Sequence, residues 1–276
     1  MRETKRVVAF MLAMSMAFQV VGFNEGIIHA SSKTINKYIA PENKITQPGA
    51  ISFLQSYPEE NSPMLKNLSM LESLPTDFTY TIGTNNTVTV TGYRGEGGDV
   101  VIPGRLDGYP VTTITAGAFS NQHYITSVTF PPSLTSIANG TGTNGAFYNC
   151  SNLSKIVFNN SIAVIGNYAF GNCPKLTEVS FGDNILSIGN NAFQNCGSLS
   201  TLKLPGTVTS IGNNAFQNCV SLTSLKLPGT VTSIGNSAFQ GCTSLISIEL
   251  PAVSATIGND SFSGCTRLET VKLRNH

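Results

Sequence analysis

The chain has 276 residues, 41% of them hydrophobic and only 11% charged, with 16 basic against 15 acidic side chains. So neutral a chain, with no basic block, excludes nucleic acid and anionic membrane surfaces as partners held by charge. Trp is absent and Gly is abundant at 26 residues, which suits many short strands and turns.

In chain order, residues 1–30 read first as a secretory signal peptide. Arg2, Lys5 and Arg6 form a basic head, and residues 7–21 an apolar run broken by Ser15 and Gln19. That run falls short of the roughly 20 residues a bilayer span needs. Cleavage is expected near Ala30, after which no apolar run can span a membrane. It would remove Arg2, Lys5, Arg6, Glu3 and Glu25, leaving 13 charges of each sign. Residues 31–75 carry Pro41, Pro48, Pro58, Pro63 and Pro75 without a sustained apolar period, and read as a flexible linker.

Residues 76–121 predict an N-terminal cap hairpin and a degenerate first coil. Two β-rich runs, 78–82 and 87–91, flank the turn sequence Gly83-Thr84-Asn85-Asn86. Residues 99–103 and 109–114 supply further apolar segments. Phe119 is in phase with the Phe of the later units, and Gln122 stands where those units have Cys. A stack cannot leave its first core layer open to water, so a terminal unit of different sequence is expected here.

Residues 122–276 repeat. Cys150, Cys173, Cys196, Cys219, Cys242 and Cys265 lie 23 residues apart, and Phe147, Phe170, Phe193, Phe216, Phe239 and Phe262 keep the same interval. A fixed period of this length means stacked supersecondary units. Phe119 precedes Phe147 by 28, and the surplus falls in the polar loop 139–143. Within a unit, Leu225-x-Leu227 alternates at period two, so both face inward while Ser224 and Lys226 face water. Pro228 ends that strand, Gly235-Asn236 ends a second apolar segment, and Ala238, Phe239 and Cys242 close the coil from inside. Stacking at about 4.8 Å per coil makes continuous Leu, Ile, Phe and Cys columns. The expected fold is a mainly β repeat solenoid.

The pattern Leu-x-x-Leu-x-Leu-Pro-x-x-Val-x-x-Ile-Gly-x-x-Ala-Phe-x-x-Cys, complete at 222–242, closely resembles the BspA-like leucine-rich repeat family of bacterial and protist surface proteins. The resemblance covers roughly residues 76–276. It implies a right-handed leucine-rich-repeat stack, secreted or surface-displayed, whose relatives bind host or neighbouring-cell proteins.

Chemistry finds little foothold. A zinc site needs four converging ligands, whereas the cysteines stand one coil apart in a line and the mature chain holds only His123 and His276. No metal, cofactor or catalytic site is expected. Disulfides between neighbouring coils would have an acceptable Cα separation but nearly parallel Cβ vectors. Reduced, inward-facing thiols acting as small hydrophobes are favoured over such pairs. Nucleophilic and carboxylate catalysis both lack a constellation.

The exposed face of the main sheet is the candidate binding surface. One row runs Thr129, Val157, Ser180, Lys203, Lys226, Glu249, Lys272 and another Ser127, Lys155, Glu178, Thr201, Ser224, Ser247, Thr270. The charged members Lys155, Glu178, Lys203, Lys226, Glu249 and Lys272 are the candidate contacts. No aromatic anchor stands in either row, so the 139–143 loop, Tyr148 and Tyr168 are alternatives. The sequence stops in mid-repeat, where an uncapped edge would allow end-to-end self-association. Function is expected to be non-enzymatic adhesion to an extracellular protein or glycan. The alternatives are a structural or display solenoid of the cell envelope and the repeat portion of a larger surface protein.

Overall fold

The computed structural model describes residues 75–251 and 255–273. The expected signal peptide and nearly all of the linker lie outside the described residues. Among those described there is no α-helix, and no helix is long and apolar enough to cross a membrane.

A 3₁₀ turn, Pro75–Asp77, leads into an antiparallel hairpin of β1 (Phe78–Ile82) and β2 (Val88–Tyr93). Its turn closes through the Gly83 N–H on the Thr87 carbonyl (2.9 Å) and the Asn86 N–H on the Gly83 carbonyl (3.0 Å). Asn86 adopts φ 57°, a left-handed conformation that Asn tolerates better than most residues. Phe78 and Tyr93 of this hairpin pack on Phe119, with ring centroids 6.3 and 5.4 Å away. The first coil holds β3 (Gly98–Val101), β4 (Arg105–Leu106) and β5 (Tyr109–Ile114), with β5 laid parallel on β2 and antiparallel to β4.

Each later turn adds a front strand and a back strand. These are β6 (Ile125–Thr129) with β7 (Ser136–Ile137), β8 (Lys155–Val157) with β9 (Val164–Ile165), and β10 (Glu178–Ser180) with β11 (Ser187–Ile188). Then come β12 (Thr201–Leu202) with β13 (Ser210–Ile211), β14 (Ser224–Lys226) with β15 (Ser233–Ile234), and β16 (Ser247–Leu250) with β17 (Thr256–Ile257); β18 (Thr270–Leu273) ends the front series. Pairing between turns is parallel and offset by one repeat, so like lies on like. Leu225, Ile248 and Val271 align in front, and Ile188, Ile211, Ile234 and Ile257 behind.

The two ladders are each interrupted once. Behind, β7 does not pair with β9, because the five-residue insertion opens there. The gap is bridged by the Gly140 N–H on the Asn167 carbonyl and the Asn167 N–H on Asn139 Oδ1, both 2.9 Å. In front, β10 does not pair with β12, leaving two four-stranded sheets. The unbroken 23-residue interval there predicts a continuous sheet, and the structure departs from it.

The Phe column is the spine of the core. Tyr93 continues it into the cap, stacked on Phe119 at 5.4 Å, and Phe119 stacks on Phe147 at 4.5 Å. From Phe147 to Phe262 the rings succeed one another at 5.2–5.6 Å, with interplanar angles of 11° or less. These separations lie in the favourable range for offset stacking. Phe147, Phe170, Phe193, Phe216 and Phe239 are wholly buried, whereas Phe262 in the last turn is half-buried.

The Cys column turns out to be polar as well as apolar. All six cysteines are free. Each thiol donates to the Phe carbonyl of the turn before it, from Cys150 on Phe119 to Cys265 on Phe239, at 3.1–3.5 Å. The carbonyls of Phe193, Phe216 and Phe239 also accept the Cys N–H of their own turn, and that of Phe119 accepts the Gln122 N–H, all at 3.3 Å. The thiol thus serves the oxygen's second lone pair. Gln122 is not a mere absence of Cys, since its Nε2 donates to the Tyr93 carbonyl at 3.0 Å. It performs the same task over a longer reach.

Burial pushes the Cys150 and Cys219 thiols from 9.0 up to about 12 and raises Cys173 and Cys196 strongly. Hydrogen bonding with the Cys265 thiol, and then burial, raises Cys242.

Amides tie the surface of the stack. Asn121, Asn149, Asn172, Asn195 and Asn218 all hold φ near 60°. Asn149 donates to Asn121, Asn195 to Asn172 and Asn218 to Asn195 at 2.7–2.9 Å. Gln194, Gln217 and Gln240 form a second chain. Among the described residues no buried side-chain nitrogen or oxygen lacks a partner.

Phe216→Ala should cost about 3–5 kcal/mol as a core truncation, read as a clearly lowered thermal midpoint; an unchanged melt would refute the spine assignment. The thiols add a pH dependence. Their folded pKa lies above the unfolded value, so the stabilisation is complete below pH 9.0 and is lost as pH rises toward about 12. Melts at pH 8 and 10.5 should differ by about 1–2 kcal/mol per buried thiol, and Cys219→Ala should flatten the slope. Alkylation after denaturation without reductant should add six labels to the intact mass, matching six free cysteines.

Candidate interaction surface

The front strands are so short that two outward side chains per turn are all they display. Parallel register lines these up into rows. Ser127, Lys155 and Glu178 stand in one line across β6, β8 and β10, and Lys226, Glu249 and Lys272 in another across β14, β16 and β18. Lys155 Nζ meets Glu178 Oε1 at 2.9 Å, and Lys226 Nζ meets Glu249 Oε2 at 3.1 Å. Both pairs are solvent-exposed, so each contributes a few tenths of a kcal/mol. Lys203 and Lys272 are exposed on the same face. At its N-terminal end the carboxylate of Asp99 accepts the Thr126 and Ser127 hydroxyls at 3.1 and 2.6 Å.

The structure thus brings the six candidate residues onto one face, but in two groups. Lys155 and Glu178 lie before the break in the front sheet, and Lys203, Lys226, Glu249 and Lys272 after it. The Phe and Cys residues point the other way, into the core. Of the alternatives, residues 141–143 of the insertion are exposed, while Tyr148 and Tyr168 are half-buried. The Tyr148 hydroxyl accepts Asn172 Nδ2 at 2.8 Å and its ring covers Gly171, so it belongs to the amide ladder.

One aromatic escapes the sequence reading. Tyr124, just before β6, is 74% exposed. The corresponding column holds Asn152, Lys175, Ser198, Ser221, Ser244 and Arg267. A lone aromatic in an otherwise polar column is the signal that could have found it.

Catalytic and metal arrangements are poor. His123 Nδ1 lies 3.1 Å from Ser151 Oγ, but on an exposed turn with no carboxylate bonded to the ring among the described residues, so base and nucleophile lack an orienting acid. Among the described residues no three His, Cys, Asp or Glu side chains gather as metal ligands would. The buried thiols, held protonated, are removed from nucleophilic chemistry.

The repeats match a family model described as the BspA type leucine rich repeat region, in six copies over residues 107–219 and 142–269. None of the curated proteins matches. Among solved structures, the leucine-rich repeat protein of T. pallidum is 28% identical, covers 73% of this chain and 81% of its own, and superposes with a TM-score of 0.53. A leucine-rich repeat protein of Bacteroides ovatus is 22% identical over 72% of this chain and 75% of its own, with a TM-score of 0.38. The pneumococcal vaccine antigen PcpA is 20% identical over 71% and 68%, with a TM-score of 0.40. With the family model spanning more than half of the chain and the solenoid built from its repeat, the chain belongs to the BspA-type leucine-rich repeat family.

Proposed function

We propose that this chain is a secreted or cell-surface, non-enzymatic interaction module. It engages an extracellular protein or glycan through the outward rows of its front sheet. The observation that carries this reading is the face itself. The core columns turn the repeat's Leu, Phe and Cys side chains inward, and Lys203, Lys226 and Lys272 stand exposed on an extended surface on which Lys226 pairs with Glu249. Solenoids characteristically bind through such extended faces. Tyr124, at the N-terminal margin of the same face, supplies the aromatic of the kind that dominates interface energetics. The expected signal peptide supports export.

A display role in the cell envelope is the second reading. It is favoured by the side chain–backbone bonds that staple turn to turn, such as Thr209 and Thr232 to the carbonyls one repeat earlier. These give a stiff spacer whether or not the face binds anything.

Binding of the purified chain to arrayed matrix proteins, serum proteins and glycans separates the two. Saturable binding is expected, weakened at least about tenfold, or about 1.4 kcal/mol, by the triple change Lys203→Glu, Lys226→Glu and Lys272→Glu, and also by added salt. Saturable binding untouched by the triple change would overturn the assignment of the face, and no binding across the array would leave the display role.

A further inference from the structure

We infer that the front face is two panels joined by a hinge between β10 and β12. The bonds that should cross this junction are known from its neighbours. The Phe158 N–H donates to the Ser180 carbonyl at 2.9 Å and the Leu227 N–H to the Glu249 carbonyl at 3.0 Å; likewise Thr177 donates to Ser154 at 3.0 Å and Thr223 to Ser200 at 3.3 Å. One repeat along, the equivalent donors at the junction are the Phe181 and Ser200 N–H groups. Neither bond forms, and β10 and β12 share no register pair.

The rest of this level is closed. Behind, Ser187 pairs with Ser210 and Ile188 with Ile211. On the third side Phe193 donates to Ala215 and Asn195 to Gln217, both at 2.8 Å. Phe193 and Phe216 stack at 5.3 Å with their planes 3° apart. The opening is confined to the strand segment itself, since the Ser198 N–H still donates to the Pro174 carbonyl at 3.1 Å before it and the Thr207 hydroxyl to the Asp183 carbonyl at 2.7 Å after it. The unpaired segment opposite closed walls leaves a small rotation about the closed side as the soft motion.

The cause is a change of repeat subtype. Front strands before the junction run into Phe130, Phe158 and Phe181, stacked at 5.2 and 5.8 Å; after it the position holds Leu204, Leu227 and Leu250. Leu204 is too short to extend the ring stack, and both Phe181 and Leu204 are half-buried while Phe158 and Leu227 are buried. The turn after β10 is drawn toward the preceding coil. A Cβ on Gly182 would stand 1.9 Å from the Asn159 carbonyl oxygen, the Asp183 N–H bonds Asn160 Oδ1 at 2.9 Å, and Asn184 Nδ2 bonds the Asn160 carbonyl at 2.7 Å.

The panels differ in charge. Asp99, Lys155 and Glu178 stand on the first, and Lys203, Lys226, Glu249 and Lys272 on the second. The ion pairs Lys155–Glu178 and Lys226–Glu249 each lie within one panel, so rotation breaks neither. With Lys175 at the margin of the first panel counted, a partner spanning the face would meet a charge-balanced and a net-positive surface at an adjustable angle. The hinge rests on the junction's geometry alone and stands or falls apart from the partner proposed above.

Residue-resolved hydrogen exchange on the full chain tests the junction. The Phe181 and Ser200 amides should be protected at least about tenfold less than Phe158, Thr177, Thr223 and Leu227, while Phe193 and Asn195 stay protected. Equal protection at Phe181 and Ser200 would overturn the inference, and so would loss of protection at Phe193 and Asn195, which would mean that the whole level frays. Motion is read from spin labels in a Cys265→Ala background. The pair Ser127→Cys and Ser247→Cys, across the junction, should give a wider distance distribution than Thr201→Cys and Thr270→Cys within one panel; equal widths would leave an open but rigid seam and refute the hinge.

Discussion

Everything in this molecule depends on parallel pairing between one turn and the next at an offset of one repeat. A single turn has two strands of two to five residues, too short to bury anything alone. Register converts that weakness into order. Because the offset equals the sequence period, the spine Phe residues meet one another, as do the back-strand Ile residues and the Asn residues of the amide ladder, and a side chain tolerated once is tolerated at the next level. The Phe spine, the thiol-to-carbonyl bonds and the amide ladders all arise from this one constraint. It also sorts the chemistry. Whatever faces inward is repeated and structural, so the residues free to vary are those facing out.

That sorting explains how far the sequence could be read. The period and the Leu, Phe and Cys columns are strong signals because they are enforced at every turn. The hairpin cap was legible from turn chemistry at Gly83-Thr84-Asn85-Asn86. Features arising where one repeat differs from the next were harder. Gln122 looks like a defect in the Cys column until its amide is seen on the Tyr93 carbonyl, since a hydrogen bond to a backbone oxygen leaves no trace in side-chain pattern. The break between β10 and β12 lies in an interval of the correct length. Its cause, a switch from Phe181 to Leu204, alters packing without altering spacing. Tyr124 stands just before the strand, outside the two outward rows that period-two alternation picks out, so the strand pattern passes over it.

The candidate surface inherits its character from the same economy. Short strands present few side chains per turn, so the face is built of Ser, Thr and isolated charges, with ion pairs too exposed to rigidify it. Recognition on such a surface must come from extent and from arrangement along the axis. The distribution of Asp99, Lys155 and Glu178 against Lys203, Lys226 and Lys272 matters more than any one of them. The insertion at 139–143 opens the back ladder two turns before the front ladder opens, so no level of the described stack loses both walls at once.

The thiol bonds run one way, each turn donating to the turn before it. A unit copied into the middle of such an array finds an acceptor above and a donor below without any new residue at either joint. Gene duplication in steps of 23 codons can therefore lengthen or shorten the described stack with its internal chemistry intact. The place that resists such change is the cap, where Tyr93 offers an oxygen with no turn of the same kind beneath it. There a different amino acid, Gln122, had to be found.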